Sequence, residues 1–372
     1  MSDRLVTGGR DSDGAAVDVV IRDGRVVADG DGPTYDARGL TVLPGLVDLQ
    51  VNGAAGIDLT REPDRLWEVA ASLPEYGVTA FQPTIITAAP EVRSRALAAL
   101  RAGPPAGWSG AEPLGLHLEG PMLAVGRKGA HPPQWLRPPS VALVDGWSRD
   151  AGVTMVTLAP ELPGALDVVA VLVERGVVVA LGHTEAPAEA VAAAVDRGAR
   201  VVTHLGNAMP ALAGRDPGPV GATLADPRLV AGVIADGHHL APATLASYWR
   251  ALGPARFLAV TDCTAGLGIA DGPTRLGDHD VVVRDGTVRL ADGTLAGSAA
   301  SLPACLAVLR SATGCTLSEA VAACTTTAAA VVGDDSRGHL RPGARGDLTL
   351  VDDDLTVVAT IVGGRLVHGE AR

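Results

Sequence analysis

The sequence predicts an α/β chain: a (β/α)8 TIM-type barrel with a small β-sandwich domain built from both chain termini. Three observations lead there. Runs of β-branched and small apolar residues alternate with helix-like segments eight times, which suits a closed parallel barrel better than an open doubly wound sheet. Both ends of the chain read instead as short strands joined by tight turns. The middle strands also finish, one after another, in polar residues that apolar strands do not need for stability.

The N-terminal segment, 1–43, carries VDVVIRDGRVVADG, whose β-branched positions alternate about Asp23-Gly24, a hairpin signal. Residues 341–372 repeat the style, with a turn at Gly363-Gly364. Together these segments are expected to form the small sandwich, leaving 44–340 to the barrel. Barrel strands are predicted at 41–51, 78–86, 114–118, 154–159, 177–181, 200–203, 229–235 and 257–261, and helices at 90–101, 165–175 and 186–197. The stretch 180–209 shows the repeating unit most fully. Two buried-strand patterns end in His183 and His204, and the helix between them is predicted to open at Thr184, hold Pro187 in its first turn and stop at Gly198. Neighbouring parallel strands of a barrel aim their carboxyl ends at one place, so both imidazoles are set to reach one metal ion.

Composition narrows the function. At 372 residues the chain has room for one large domain and an accessory one. Hydrophobic residues make up 47% but aromatics only 3%, so Ala, Val and Leu must fill the core. A net charge of −12, with Lys128 the only lysine, excludes a broad basic face for nucleic acid. An anionic small substrate then needs a few local Arg or His residues to hold it against the overall field. Cys263, Cys305, Cys315 and Cys324 form no CxxC pair and MSDRLVTGGR carries no signal-peptide pattern, which together point to the cytoplasm. No apolar run approaches the ~20 residues of a membrane span, so no membrane partner is expected. Neither a GxSxG elbow nor a GxxxxGK[ST] phosphate loop occurs.

The strand ends carry Gln50 and Asn52, His117 and Glu119, His183, His204, Asp236 to His239, and Thr261-Asp262. A lone histidine in such a place is more often a hydrogen-bonded polar residue than a ligand, and a lone Glu119 would be a capping or salt-bridged carboxylate. Together, Glu119, His183 and His204 offer one carboxylate and two neutral imidazoles, a set suited to Zn²⁺ with a position left open for water. Asp262 is then the natural general base, placed to take a proton from that water and return it to a leaving amine.

In order along the chain, HLEGP, LGHTEA, THLGNAMP, ADGHH, VTDCTAG and LAGS resemble the signature blocks of the N-acetylglucosamine-6-phosphate deacetylases of the amidohydrolase superfamily. The resemblance implies a metal-dependent hydrolase that removes the N-acetyl group of N-acetylglucosamine 6-phosphate in amino-sugar catabolism or recycling. It further implies that Glu119, His183 and His204 bind the metal, that Asp262 is the catalytic acid/base and that His131 helps to polarise the acetyl carbonyl. Ala130, Asn207, Ala208, Leu295, Ala296 and Gly297 match sugar-contacting positions, and Arg215 and His239 match phosphate-binding ones. A homodimer is implied as well, with the partner subunit completing the phosphate site.

Three departures refine this picture. Gln50 and Asn52 stand where many superfamily members carry His-x-His, and TMVTLAPE in the fourth strand has no lysine to bridge two metals. One divalent metal per chain is therefore expected, zinc first, with Fe, Mn or Co as alternatives, and Gln50 and Asn52 are vestigial second-metal positions, as in a Gln-x-Asn subgroup of the deacetylases. Gly206 and Met122 replace frequent aromatics and are expected to widen the sugar pocket. That leaves N-acetylgalactosamine 6-phosphate or an unphosphorylated N-acyl compound as alternative substrates. A sugar-phosphate-binding barrel without catalysis is the alternative of another class, and the Glu-His-His-Asp set argues against it.

Overall fold

In a computed structural model, which describes residues 3–372, eight parallel strands pair in chain order. Residues 1 and 2, where the predicted N-terminal segment begins, lie outside the described residues. The strands are β1 (Leu46–Val51), β2 (Val78–Ile86), β3 (Leu116–Glu119), β4 (Val153–Leu158), β5 (Val178–Leu181), β6 (Val201–Val202), β7 (Val230–Ile234) and β8 (Phe257–Val260). The ring closes just beyond β8, where Val51 and Cys263 form a parallel bridge and Asn52 N donates to Cys263 O at 2.7 Å. Every residue of β2 is buried, as expected of a strand with side chains on one face and helices on the other.

The predicted strand 41–51 is two strands. Thr41–Pro44 leaves the barrel and pairs antiparallel with Leu348–Val351, and the chain crosses from one sheet to the other at Gly45. Only glycine fits there, because a Cβ would lie 2.2 Å from Thr79 Oγ1. Through this pairing, strands from both termini join in one eight-stranded sheet with its own core, including Val6, Ile21, Tyr35, Val42, Leu350 and Ile361. Both predicted turns, at Asp23-Gly24 and Gly363-Gly364, lie within it.

Buried charges hold this sheet to the barrel. Arg337 places Nη1 2.6 Å from Asp347 in the terminal sheet and Nη2 2.6 Å from Glu112 at the barrel edge, and its Nε lies 2.8 Å from Asp334.

The helix between β5 and β6 spans Ala188–Asp196, two residues shorter at its start than predicted. Thr184 does not cap it. Its hydroxyl accepts from Ala186 N at 2.9 Å and donates to Glu161, closing a turn of its own. The predicted strands also leave out a four-stranded antiparallel sheet, Gly272–Leu276, His279–Arg284, Thr287–Leu290 and Leu295–Ser298, inserted after β8. The Asp285-Gly286 and Asp292-Gly293 pairs and the alternation in DVVVRDGTVRL were its signals. Its small core includes Leu276, Val281, Val283, Val288 and Ala296, and it packs against Ala130 of the loop after β3.

Candidate metal centre and active-site cleft

At the carboxyl end of the barrel the backbone turns sharply at several of the candidate residues. His183, His204 and Asp262 all adopt positive φ, +48°, +33° and +52°, as does Ala208 at +51°. Side chains other than glycine seldom occupy this region, and such strain collects where a site over-determines the chain. The turns bring the imidazoles together. His183 Nε2 lies 3.0 Å and His204 Nε2 3.1 Å from Glu119 Oε1, and the two nitrogens are 3.1 Å apart. All three residues are buried.

Hydrogen bonding decides whether this triangle suits a cation. His183 Nδ1 donates to Arg127 O at 2.8 Å, so the neutral ring turns the lone pair of Nε2 toward the Glu119 carboxylate. The lone pair of His183 Nε2 and the negative Glu119 oxygen, 3.0 Å apart, repel one another unless a positive ion lies between them. The residues therefore fit a divalent metal, and their N and O donors suit zinc or another borderline ion.

Asp262 faces this set, and one of its oxygens is tied. Oδ1 accepts from Asn52 Nδ2 at 2.7 Å and from Gln50 Nε2 at 3.0 Å. Gln50 and Asn52 thus hold the carboxylate in place and leave Oδ2 for chemistry. Burial, with the nearby Glu119 charge, pushes the Asp262 carboxyl up to about 6. His131 packs edge-on against His183, with ring centroids 4.4 Å apart, and burial holds its imidazole well below the usual histidine range. His131 Nδ1 lies 3.3 Å from Thr87 N, which donates to it, and 2.9 Å from Thr87 Oγ1; the tautomer in which Nδ1 accepts carries its proton on Nε2.

These groups open into a cleft of about 320 Å³, a volume typical of small-molecule sites. Ala130, Asn207, Ala208, His239, Leu295, Ala296 and Gly297 line it, as do Glu119, His131, His183, His204, Asp262 and Asn52. Asp236 Oδ2 takes His239 Nδ1 at 2.7 Å, so Nε2 is the ring nitrogen left for a ligand.

Other candidates lie elsewhere. Arg215 is exposed in the loop 210–217, outside the cleft lining. His117 sits between Thr157 Oγ1 at 2.7 Å and Thr84 Oγ1 at 3.3 Å, and burial pushes its imidazole down to about 4, the mark of a structural histidine. Gly206 and Met122 do not widen the pocket. A Cβ on Gly206 would lie 2.8 Å from Tyr248 Oη, so the tyrosine already fills that space, and Met122 is fully buried in the barrel core. Arg127, in the same loop as Ala130 and His131, lines the cleft as well, and no local sequence pattern marks it as a site residue.

A barrel with such a site is the architecture of metal-dependent hydrolases, and comparison with known proteins agrees. The profile described as "Amidohydrolase family" matches residues 41–367. The human N-acetylglucosamine-6-phosphate deacetylase is 38% identical over 351 residues, 89% of this chain and 84% of the human one. Its Bacillus subtilis (strain 168) counterpart is 34% identical over 332 residues, covering 87% and 84%. Among solved structures, a mutant N-acetyl-D-glucosamine-6-phosphate deacetylase from Mycobacterium smegmatis in complex with N-acetyl-D-glucosamine-6-phosphate aligns at a TM-score of 0.88. It shares 35% identity over 99% of this chain and 100% of its own. The deacetylase of Thermotoga maritima aligns at 0.89 with 30% identity, over 98% and 100%. The chain belongs to the amidohydrolase family, in its N-acetylglucosamine-6-phosphate deacetylase branch.

Proposed function

We propose that this protein hydrolyses the N-acetyl group of N-acetylglucosamine 6-phosphate to glucosamine 6-phosphate and acetate, in amino-sugar catabolism or recycling. One observation carries the reading: Glu119, His183 and His204 converge on a point that the tethered carboxylate of Asp262 faces across the same cleft.

A single divalent cation held by the three residues, zinc before Fe, Mn or Co, would supply Lewis acidity toward the acetyl carbonyl and acidify the attacking water. Asp262 accepts that water's proton at Oδ2 while Gln50 and Asn52 keep Oδ1 in place. It then delivers the proton to the amide nitrogen as the C–N bond breaks, so acetate and the free amine leave. His131 presents Nε2–H to the carbonyl oxygen as negative charge grows there, and its neutral state at pH 7 follows from burial.

The sugar lies against Ala130, Asn207, Ala208 and the segment Leu295–Gly297, and His239 takes the phosphate. Arg215, exposed and outside its own cleft, is suited to reach the phosphate of a second copy in a homodimer. Four free, buried cysteines accord with a cytoplasmic enzyme. Among the described residues no helix is long and apolar enough to cross a membrane.

Acetate release from N-acetylglucosamine 6-phosphate by purified protein of measured metal content, with the unphosphorylated sugar in parallel, tests the proposal. Turnover that requires about one metal per chain and strongly prefers the phosphate is the expected result. A metal-loaded sample without turnover would overturn it.

A further inference from the structure

Arg127 has no part in the chemistry above, yet it stands in the wall of the same cleft. Its backbone is pinned to a histidine of the metal set. Arg127 O accepts from His183 Nδ1 at 2.8 Å, and Ala124 N, just before the short 3-10 helix Val125–Arg127, donates to His183 O at 2.9 Å. Gly129 follows in van der Waals range of the ring, where a Cβ would lie 3.4 Å from His183 Cε1. The main chain of Arg127 is therefore a fixed point beside the site, and only its side chain is free to move.

That side chain forms no hydrogen bond with the described residues. Its Nε is buried and unbonded, and Glu185 Oε1 lies 3.4 Å away, in ion-pair range but out of hydrogen-bond line. Glu185 is itself 53% exposed, so solvent screens the pair. Among the described residues lining the cleft, Arg127 is the one permanent cation, the rest being neutral, acidic or histidine. A dianionic, oxygen-rich ligand entering this cleft meets an arginine whose donors are unused.

We propose that Arg127 is a substrate-binding residue that sets affinity, its guanidinium donating to an oxygen of the bound amino-sugar phosphate while Glu185 keeps the unliganded side chain at the rim. This rests on the function proposed above. A sugar hydroxyl and a phosphate oxygen offer the same acceptor chemistry, and a guanidinium serves either.

The test is steady-state kinetics of wild type and Arg127→Met on N-acetylglucosamine 6-phosphate and on N-acetylglucosamine, with metal content and unfolding midpoint measured on each sample. Losing a charge-assisted hydrogen bond should raise KM for the phosphate about ten- to hundredfold, with kcat within about threefold. Metal content and midpoint should stay at wild-type values, because His183 bonds the backbone carbonyl and not the side chain. Arg127→Lys, which keeps the charge but loses the planar fork, should fall between the two. A KM effect confined to the phosphorylated sugar places the contact on the phosphate, and an equal effect on both sugars places it on a hydroxyl. A KM within twofold of wild type, or a loss that tracks lost metal, overturns the inference while leaving the deacetylase reading intact. Absence of turnover in metal-loaded wild type overturns both.

Discussion

Asn52 Nδ2 donates to Asp262 Oδ1 at 2.7 Å, a neutral amide holding one oxygen of a buried carboxylate while the other stays free. The same Asn52 keeps a buried Oδ1 that has no donor in the protein. Replacing Asn52 with Leu removes the shorter of the two tethers, leaving Gln50 Nε2 at 3.0 Å, and keeps the bulk. Turnover should fall roughly ten- to hundredfold, with metal content unchanged, since positioning by hydrogen bonds of this kind is worth about that much. Asn52→Asp sets a second negative group against Asp262 and favours its protonated form, so the acidic limb of the pH–rate profile should move upward. A limb that stays in place would show that the two residues do not interact in solution.

Asp262→Asn keeps the shape of the site and removes the proton acceptor. Turnover should fall by about two to four orders of magnitude with the metal retained. Near-wild-type turnover in this variant would remove Asp262 from the mechanism.

The ligand assignment predicts a loss of metal. His204→Gln should purify with well under half the metal of wild type, as measured by elemental analysis, because it removes one of three converging donors. Chelation of the wild type should abolish acetate release, and added zinc should restore it. Wild-type metal content in the variant would place the ion elsewhere.

Asp48 lies fully inside the barrel, where its carboxyl takes Thr261 Oγ1 at 2.6 Å and burial pushes its pKa up to about 7. An unfolded chain gives up this proton near pH 4, whereas the folded one keeps it to about pH 7. Over that window the native state binds more protons, so stability falls as pH rises and levels off above it. Asp48→Asn cannot ionise and escapes this cost. Its stability relative to wild type in urea should improve by about 2–4 kcal/mol between pH 4.5 and pH 8. Parallel curves would contradict the buried, protonated state.

Arg337 joins the barrel edge to the terminal sheet through carboxylates on both. Arg337→Met takes from Asp347, whose side chain is only 5% exposed, the nearer of its two arginine partners and should destabilise the protein by about 3 kcal/mol. The value lies at the low end for a broken buried pair because Arg345 also reaches Glu112 and Asp347. Urea unfolding measures it, and a change below about 0.5 kcal/mol would mean that Arg345 carries the contact alone.

Local pattern was enough for much of this. Strand and helix periods mark the alternating units, and Asp-Gly and Gly-Gly pairs mark turns, because both signals depend on neighbours a few residues apart. The one misread strand, 41–51, is divided by Pro44-Gly45, a local break signal inside an otherwise apolar run, but only pairing with distant strands assigns its two halves to different sheets. Gly206 failed differently, since its missing side chain matters only in front of Tyr248, 42 residues later in the chain.

By itself the sequence determined the barrel, the small terminal sheet and the identity of the polar groups at the strand ends, since strand polarity alone sends those ends to one face. Tertiary structure decided how they are used. Glu119 meets His183 and His204 across 64 and 85 residues, and Gln50 and Asn52 reach Asp262 across 212 and 210. Positions that distant become neighbours only when the barrel closes. Closure therefore turned two amides that read as a lost metal site into the tether of a carboxylate. It also set one arginine of a glycine-rich loop against the wall of the cleft.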